Sequence, residues 1–395
     1  MTSIDIHAPM TLLGGRSPAE FMRTYWQKKP LLIRQAIAGF ASPVPPAGLK
    51  KLAKRDDVES RLIWQENDEW NMESGPFARF PKVAEPNWSL LVQSVDLHDD
   101  ATAALMQQFR FIPDARLDDI MISLASRNGG VGPHFDSYDV FLLQGRGQRR
   151  WRISQQKDLS LVPDIACKIL QHFEPEEEFV LEPGDMLYLP PHIAHDGISE
   201  SDECITVSIG FRAPSLAVLA RGLLEVAADQ LSARNGLGFG PYSTPALPGP
   251  DLSGMFQDKR LSATTEPASL PDELIDSALA AVQKIAFTDR MAARFLGCWL
   301  TEPNSLTVFP IAQEMVDLDD VIDGNGSLVL DRRSRMIYRG ADLFINGEAL
   351  ELKTNATLKK FADTRALTSA DLKKANAATL TLLQEWLDDG WVIAQ

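Results

Sequence analysis

Hydrophobic positions change their spacing twice along this chain, and the changes divide it. Between residues 119 and 211 the apolar residues come in short runs punctuated by Gly, Pro, Asn and Asp. They predict strands over 120–126, 138–144, 148–154, 179–181, 186–189 and 203–211. Short strands separated in this way indicate a double-sheet jelly roll, a double-stranded β-helix. From Ser215 the period becomes helical, with Leu216, Leu219, Leu223, Val226 and Ala227 on one stripe ending at Gly236. Residues 236–271 are rich in Gly and Pro and read as a wrapping loop, followed by two amphipathic helices in PDELIDSALAAVQKIAF and TDRMAARFLGCWL. Short strands return over 327–330, 336–339, 342–345 and 349–352, with Asn346-Gly347 as a hairpin turn. Helices over 355–363 and 368–388 and a strand over 391–394 complete a layout like a winged helix.

Three domains are therefore expected: 1–212, the jelly roll with an N-terminal extension; 213–300, a helical region suited to dimerisation; and 301–395, winged-helix-like. The extension opens with a helix that Ser17 caps and Pro18 starts, and Lys29-Pro30 ends it before a short buried strand at 31–33. From there to Asp118 the pattern reads as polar loops carrying Trp64, Trp70 and Trp88.

Composition changes this picture mainly through charge. The 395 residues carry 39 Lys and Arg against 54 Asp and Glu, a net charge of -15. That balance disfavours a phosphate backbone as direct partner and favours a basic protein. In the winged-helix-like segment 327–395, ten Lys or Arg face nine Asp or Glu, so direct DNA binding is not expected. No apolar run approaches membrane-spanning length, and no signal-peptide layout opens the chain. Cys167, Cys204 and Cys298 are scattered, without a CxxC pair, as in a reducing cytoplasm.

The candidate chemistry lies in GVGPHFDSYDVFLLQGRGQRRWRIS, residues 130–154. His134 and Asp136 are two apart, so an extended backbone sends both to one side. On the strand that follows, Arg149 shares a face with Trp151 and Ile153, which makes it a buried cation in want of an anion. Further on, FVLEPGDMLYLPPHIAHDG supplies His192 and His195. Either would complete a set of two histidines and one carboxylate, which suits non-haem Fe(II) oxygenases and leaves room for a bidentate 2-oxo acid and O2. Zinc and manganese remain alternatives from the donor set alone. Asp139 and Asp196 are candidates to receive a cationic substrate group or to act as structural carboxylates.

These segments resemble those of the JmjC-type 2-oxoglutarate oxygenases. More narrowly, the chain is similar to bacterial ribosomal oxygenases that hydroxylate an arginine of large-subunit ribosomal protein sixteen. The resemblance rests on YWQKKPLLIRQA, MISLASRNGGVGPHFDSYDVFLLQGRGQRRWRIS, LEPGDMLYLPPHIAHDG and SIGFRAP, and in layout it spans nearly the whole chain. It implies Fe(II) on His134, Asp136 and His195, selecting His195 over His192. It also implies 2-oxoglutarate held by Arg149 with help from Ser123, O2 as oxidant and a basic ribosomal protein as substrate. A homodimer is expected separately, from the apolar stripes of the helices in 213–300, which can pack within the chain or against a second copy. Two other outcomes stay open: a histidine of another ribosomal protein as target, or a non-catalytic metal-binding sensor or scaffold.

Overall fold

The computed structural model describes residues 4–67, 69–310 and 316–395. The chain forms two compact units: Met1–Ala213 with Ser305–Phe309, and Pro214–Asn304 with Pro310–Gln395. The first unit contains strands β1 (Leu31–Ile33), β2 (Ser60–Glu66), β3 (Glu69–Ser74), β4 (Trp88–Val92), β5 (Leu117–Ala125), β6 (Val140–Arg146), β7 (Arg149–Ser154), β8 (Glu177–Leu181), β9 (Met186–Leu189), β10 (Ala194–Ser199) and β11 (Cys204–Phe211). They form an eight-stranded sheet in the order β1-β9-β6-β11-β5-β4-β2-β3 and a three-stranded sheet in the order β10-β7-β8. Every recorded pairing is antiparallel. This is the expected jelly roll.

The centre of the large sheet is buried on both faces, and its sequence separates them. Ile120, Ile122 and Leu124 of β5, Ile205, Val207 and Ile209 of β11, and Phe141 and Leu143 of β6 face the main core. There they meet Phe21 of α1 (Pro18–Thr24), Leu49 of α2 (Pro46–Leu52) and Leu105 and Met106 of α3 (Asp100–Met106). Ser17 caps α1 as expected, accepting from Glu20 N–H at 3.2 Å. The alternate residues form a partly polar seam on the opposite face, where Ser123 pairs across the ladder with Thr206, and Thr206 with Gln144. On that side Val140, Leu142, Leu187 and Leu189 pack against Trp151, Ile153 and Leu181 of the small sheet.

Two sequence expectations are corrected in this unit. The tryptophan-bearing stretch before Asp118 is not mainly loop: β2, β3 and β4 extend the large sheet. Between the strands expected over 186–189 and 203–211 lies one that was not expected, β10, paired along β7 from Ala194↔Ser154 to Ser199↔Arg149.

In the second unit, α4 (Leu216–Arg234), α5 (Asp272–Gln283) and α6 (Asp289–Thr301) precede α7 (Leu318–Asp323). No regular element occupies 236–271. Strands β12 (Ser327–Leu330), β13 (Met336–Arg339), β14 (Asp342–Ile345), β15 (Glu348–Ala349), β16 (Ala366–Thr368) and β17 (Val392–Ala394) form two small sheets, β16-β12-β17 and β13-β14-β15. Asn346 and Gly347 both have positive φ, 48° and 90°, as a two-residue hairpin turn requires. Helices α8 (Ala356–Thr364), α9 (Ser369–Leu372) and α10 (Ala377–Asp388) follow. The single helix expected over 368–388 is thus two. Asn376 accepts from Thr379 N–H at 2.9 Å and starts a new helix.

Candidate metal centre

Residues 131–139 form a bent loop rather than a ladder, and they meet β10 at one isolated bridge, His134 with His195. His134 N–H donates to His195 O at 2.9 Å, and His195 N–H donates to His134 O at 2.7 Å. That exchange brings the two rings to a centroid separation of 4.2 Å. Asp136 joins them, with Oδ2 3.8 Å from His195 Nε2. One ligand atom from each of His134, Asp136 and His195 lies within 4.8 Å of the others. The three side chains converge, His134 and Asp136 from the loop with its single bridge and His195 from the paired strand β10.

Local contacts prepare both imidazoles for a metal. His134 Nδ1 lies 2.8 Å from Gly132 O, and His195 Nδ1 lies 2.9 Å from Ile193 O. A carbonyl only accepts, so Nδ1 of each ring carries the hydrogen and Nε2 keeps its lone pair. Burial, reinforced by His134 and opposed by Asp136, pushes the His195 pKa from 6.5 down to about 4. The ring is therefore neutral near pH 7, the form that ligates. The donor set fits a divalent transition metal with positions to spare. Beside it, the desolvated setting of the Tyr138 hydroxyl and the Asp136 charge push that phenol's pKa up.

Arg149 is 3% exposed and in register with Ser199, while Trp151 and Ile153 lie opposite Gly197 and His195. The arginine, the indole and the metal-side histidine thus occupy one face of the small sheet. Arg149 Nη1 reaches Gly197 O at 3.5 Å, but its Nε and Nη2 are buried with no hydrogen-bond partner among the described residues. A buried guanidinium left in this state fits an anionic ligand. Ser123 is buried in the seam of the large sheet, its Oγ 3.5 Å from Thr206 O.

The remaining sequence candidates have other partners. Asp139 accepts from Tyr188 Oη at 2.6 Å, Gln27 Nε2 at 3.0 Å and Arg116 Nη2 at 3.3 Å. Asp196 pairs with Arg152. His192 is exposed, has φ +66° and lies outside the cluster, though its N–H donates to Asp136 O at 2.7 Å and so pins the Asp136 segment.

Sequence reasoning missed two backbone devices. Gly132 has φ +80°, and a Cβ there would lie 2.4 Å from Ile169 Cδ1 and 2.9 Å from the Trp70 ring. A Cβ on Gly197 would lie 2.6 Å from Trp151 Cζ3, so the indole uses the space over that glycine. No local signal marked either position, because the strand that carries Gly197 and its register opposite Trp151 appear only in the structure.

Comparison with known proteins places these features in a family. Residues 104–219 match the model of the JmjC domain, and residues 281–392 match that of the ROXA-like winged helix. The chain is 31% identical to the ribosomal protein uL16 3-hydroxylase of Escherichia coli strain K12, covering 94% of this chain and 96% of that protein. The X-ray structure of E. coli YcfD superposes with a TM-score of 0.78 at 29% identity, over 95% of this chain and 98% of that one. The structure of the E. coli ribosomal oxygenase YcfD in complex with cobalt and 2-oxoglutarate gives a TM-score of 0.76 at 29% identity with the same coverage. The chain belongs to the JmjC-domain ribosomal oxygenase family.

Proposed function

We propose that this chain is an Fe(II)- and 2-oxoglutarate-dependent protein hydroxylase acting on the β-carbon of an arginine side chain in ribosomal protein uL16. One observation carries the chemistry: a His/Asp/His cluster and a buried guanidinium without an anion share one face of the β7–β10 ladder. The arginine target rests on similarity to the uL16 3-hydroxylase over almost the full length of both chains.

In this reading His134, Asp136 and His195 hold the iron, the two histidines through Nε2. Bound there, iron with 2-oxoglutarate and O2 supplies an oxidative decarboxylation to succinate and CO2, with one oxygen atom entering succinate and the other a C–H bond. The protein supplies position. Arg149 offers a planar pair of donors to the far carboxylate of 2-oxoglutarate, a geometry lysine reproduces poorly. Ser123 adds a hydroxyl to the same end. Trp151, Ile153 and Leu142 wall the space between the sheets and keep water from it.

The partners follow from surface chemistry. A basic ribosomal protein complements the net charge of -15. Helix α5 has no buried residue, and its Leu274, Ile275, Leu279 and Val282 are exposed, which favours a homodimer in which a second copy covers them. Helix α10 contains no Lys or Arg, which disfavours direct reading of DNA by the winged helix. No helix among the described residues is long and apolar enough to cross a membrane, and we place the enzyme in the cytoplasm with its ribosomal substrate.

The test is mass spectrometry of ribosomal proteins from cells with and without the gene. Rescue by the wild type is compared with rescue by a His134→Ala, Asp136→Ala double variant. A gain of about 16 Da, one oxygen atom, on an arginine of uL16 with the wild type alone is expected. A shift on a histidine of another protein would keep the chemistry and replace the target. No shift on any ribosomal protein would remove the reading.

A further inference from the structure

The register of β7 on β10 orders three positions along one face. His195 lies opposite Ile153, Gly197 opposite Trp151, and Ser199 opposite Arg149. Trp151 therefore sits between the metal side of the site and the guanidinium. Its ring centroid is 5.8 Å from the His195 ring, and Arg149 Cζ is 5.8 Å from the indole. Trp151 is 5% exposed, and its Nε1–H is buried with no hydrogen-bond partner among the described residues. Buried indole N–H groups normally find an acceptor, because an unmet donor carries its full desolvation cost. Together with Arg149 Nε and Nη2, three unpartnered donors lie on two neighbouring side chains of one strand face.

The contacts of the indole indicate which edge is free. A Cβ on Gly197 would meet Cζ3, Cη2 and Cε3 at 2.6–2.9 Å, so the benzo half lies over the glycine. The pyrrole half, which carries Nε1, is the half that does not rest on it. The acceptor that three clustered donors await is anionic and brings more than one oxygen. A carboxylate supplies about four lone-pair sites, enough for a guanidinium fork and one further N–H.

We propose that Trp151 Nε1–H is a further binding donor for the co-substrate, donating to the same far carboxylate of 2-oxoglutarate that Arg149 meets. The indole then sets how far that carboxylate lies from the metal, and so which dicarboxylates fit. This rests on the oxygenase reading above, and the experiment separates the two.

Binding is measured by calorimetry on the full-length protein loaded with Mn(II) in place of iron and kept free of O2. The probes are 2-oxoglutarate and oxalate; oxalate chelates a metal but has no far carboxylate. In W151F, which keeps an aromatic ring and loses the N–H, the 2-oxoglutarate Kd is expected to rise about 10- to 150-fold, the range of one charge-assisted hydrogen bond. Oxalate and Mn(II) affinities should stay within about twofold of wild type, since neither reaches the indole N–H. If W151F does not fold, benzothienylalanine at position 151 replaces N–H by sulfur in nearly the same shape and gives the same comparison. An unchanged 2-oxoglutarate Kd, or an equal loss for oxalate, overturns the role of Trp151. Failure of the wild type to bind 2-oxoglutarate at all overturns the oxygenase reading instead.

Discussion

Gly197 has a one-atom role that a conservative substitution would expose. An alanine there would put Cβ 2.6 Å from Trp151 Cζ3, so the indole must move, and with it the wall between His195 and Arg149. Overpacking of this kind costs about 1–3 kcal/mol. We expect Gly197→Ala to lose that much in urea unfolding and to weaken 2-oxoglutarate binding. In a Trp151→Leu background the same substitution should cost much less, and equal costs in both backgrounds would show that the clash is not the cause. His195 makes a second residue-scale prediction. Burial holds its pKa near 4 in the fold, against 6.5 without it. The folded value lies below the unfolded one, so this contribution is complete above about pH 6.5. It is lost as pH falls towards 4, where the unfolded chain takes a proton that the fold refuses. The gap corresponds to about 3 kcal/mol. The metal-free protein should lose stability of this order across that window in denaturant titrations, and His195→Asn should flatten the slope.

Among the elements, those legible in the sequence carry their own pattern. In β7 the alternation of Arg149, Trp151 and Ile153 with Arg150, Arg152 and Ser154 assigns the buried face, and from it came the inward arginine. His134 and Asp136 were legible for a different reason: metal donors are few and their spacing is restrictive, although spacing alone left His192 and His195 both open and only the resemblance chose His195. Strand β10 was not legible. Its AHDGIS has little β preference and becomes a strand only because β7 pairs with it, a tertiary cause that no local window contains. Strand β4, WSLLV, is buried throughout and so shows no alternation, while β2 beside it and the edge strand β3 are only partly covered. Helix α5 was legible as amphipathic, and the structure adds that its apolar stripe is bare: Leu279 is 58% and Val282 65% exposed. If a second copy covers it, a Leu279→Glu, Val282→Glu variant should sediment as a monomer where the wild type sediments as a dimer. The change should leave unfolding of the jelly roll unaltered, because neither side chain belongs to that unit's core. A wild type that is monomeric at micromolar concentration would end the dimer proposal.

At the scale of the whole molecule, the excess of acidic over basic residues acts at a range no single contact reaches. A net charge of -15 attracts a basic ribosomal protein before any side chain enters the site. Such attraction speeds encounter, and salt screens it over a Debye length of about 10 Å at 0.1 M. The sign predicts that kcat/KM for full-length uL16 falls as salt rises, by about tenfold between 50 and 200 mM. The change should appear mainly in KM, because 2-oxoglutarate held as proposed, by the buried Arg149, would be shielded from solvent ions. A short peptide holding only the target arginine and its neighbours separates the global field from local recognition. It carries fewer charges, so its kcat/KM should start lower and depend less on salt. If peptide and full protein show the same dependence, the attraction resides at the mouth of the site and the acidic surface serves only solubility. If the full protein alone is salt-sensitive, the enzyme captures its substrate by the field of the whole chain and selects the arginine afterwards.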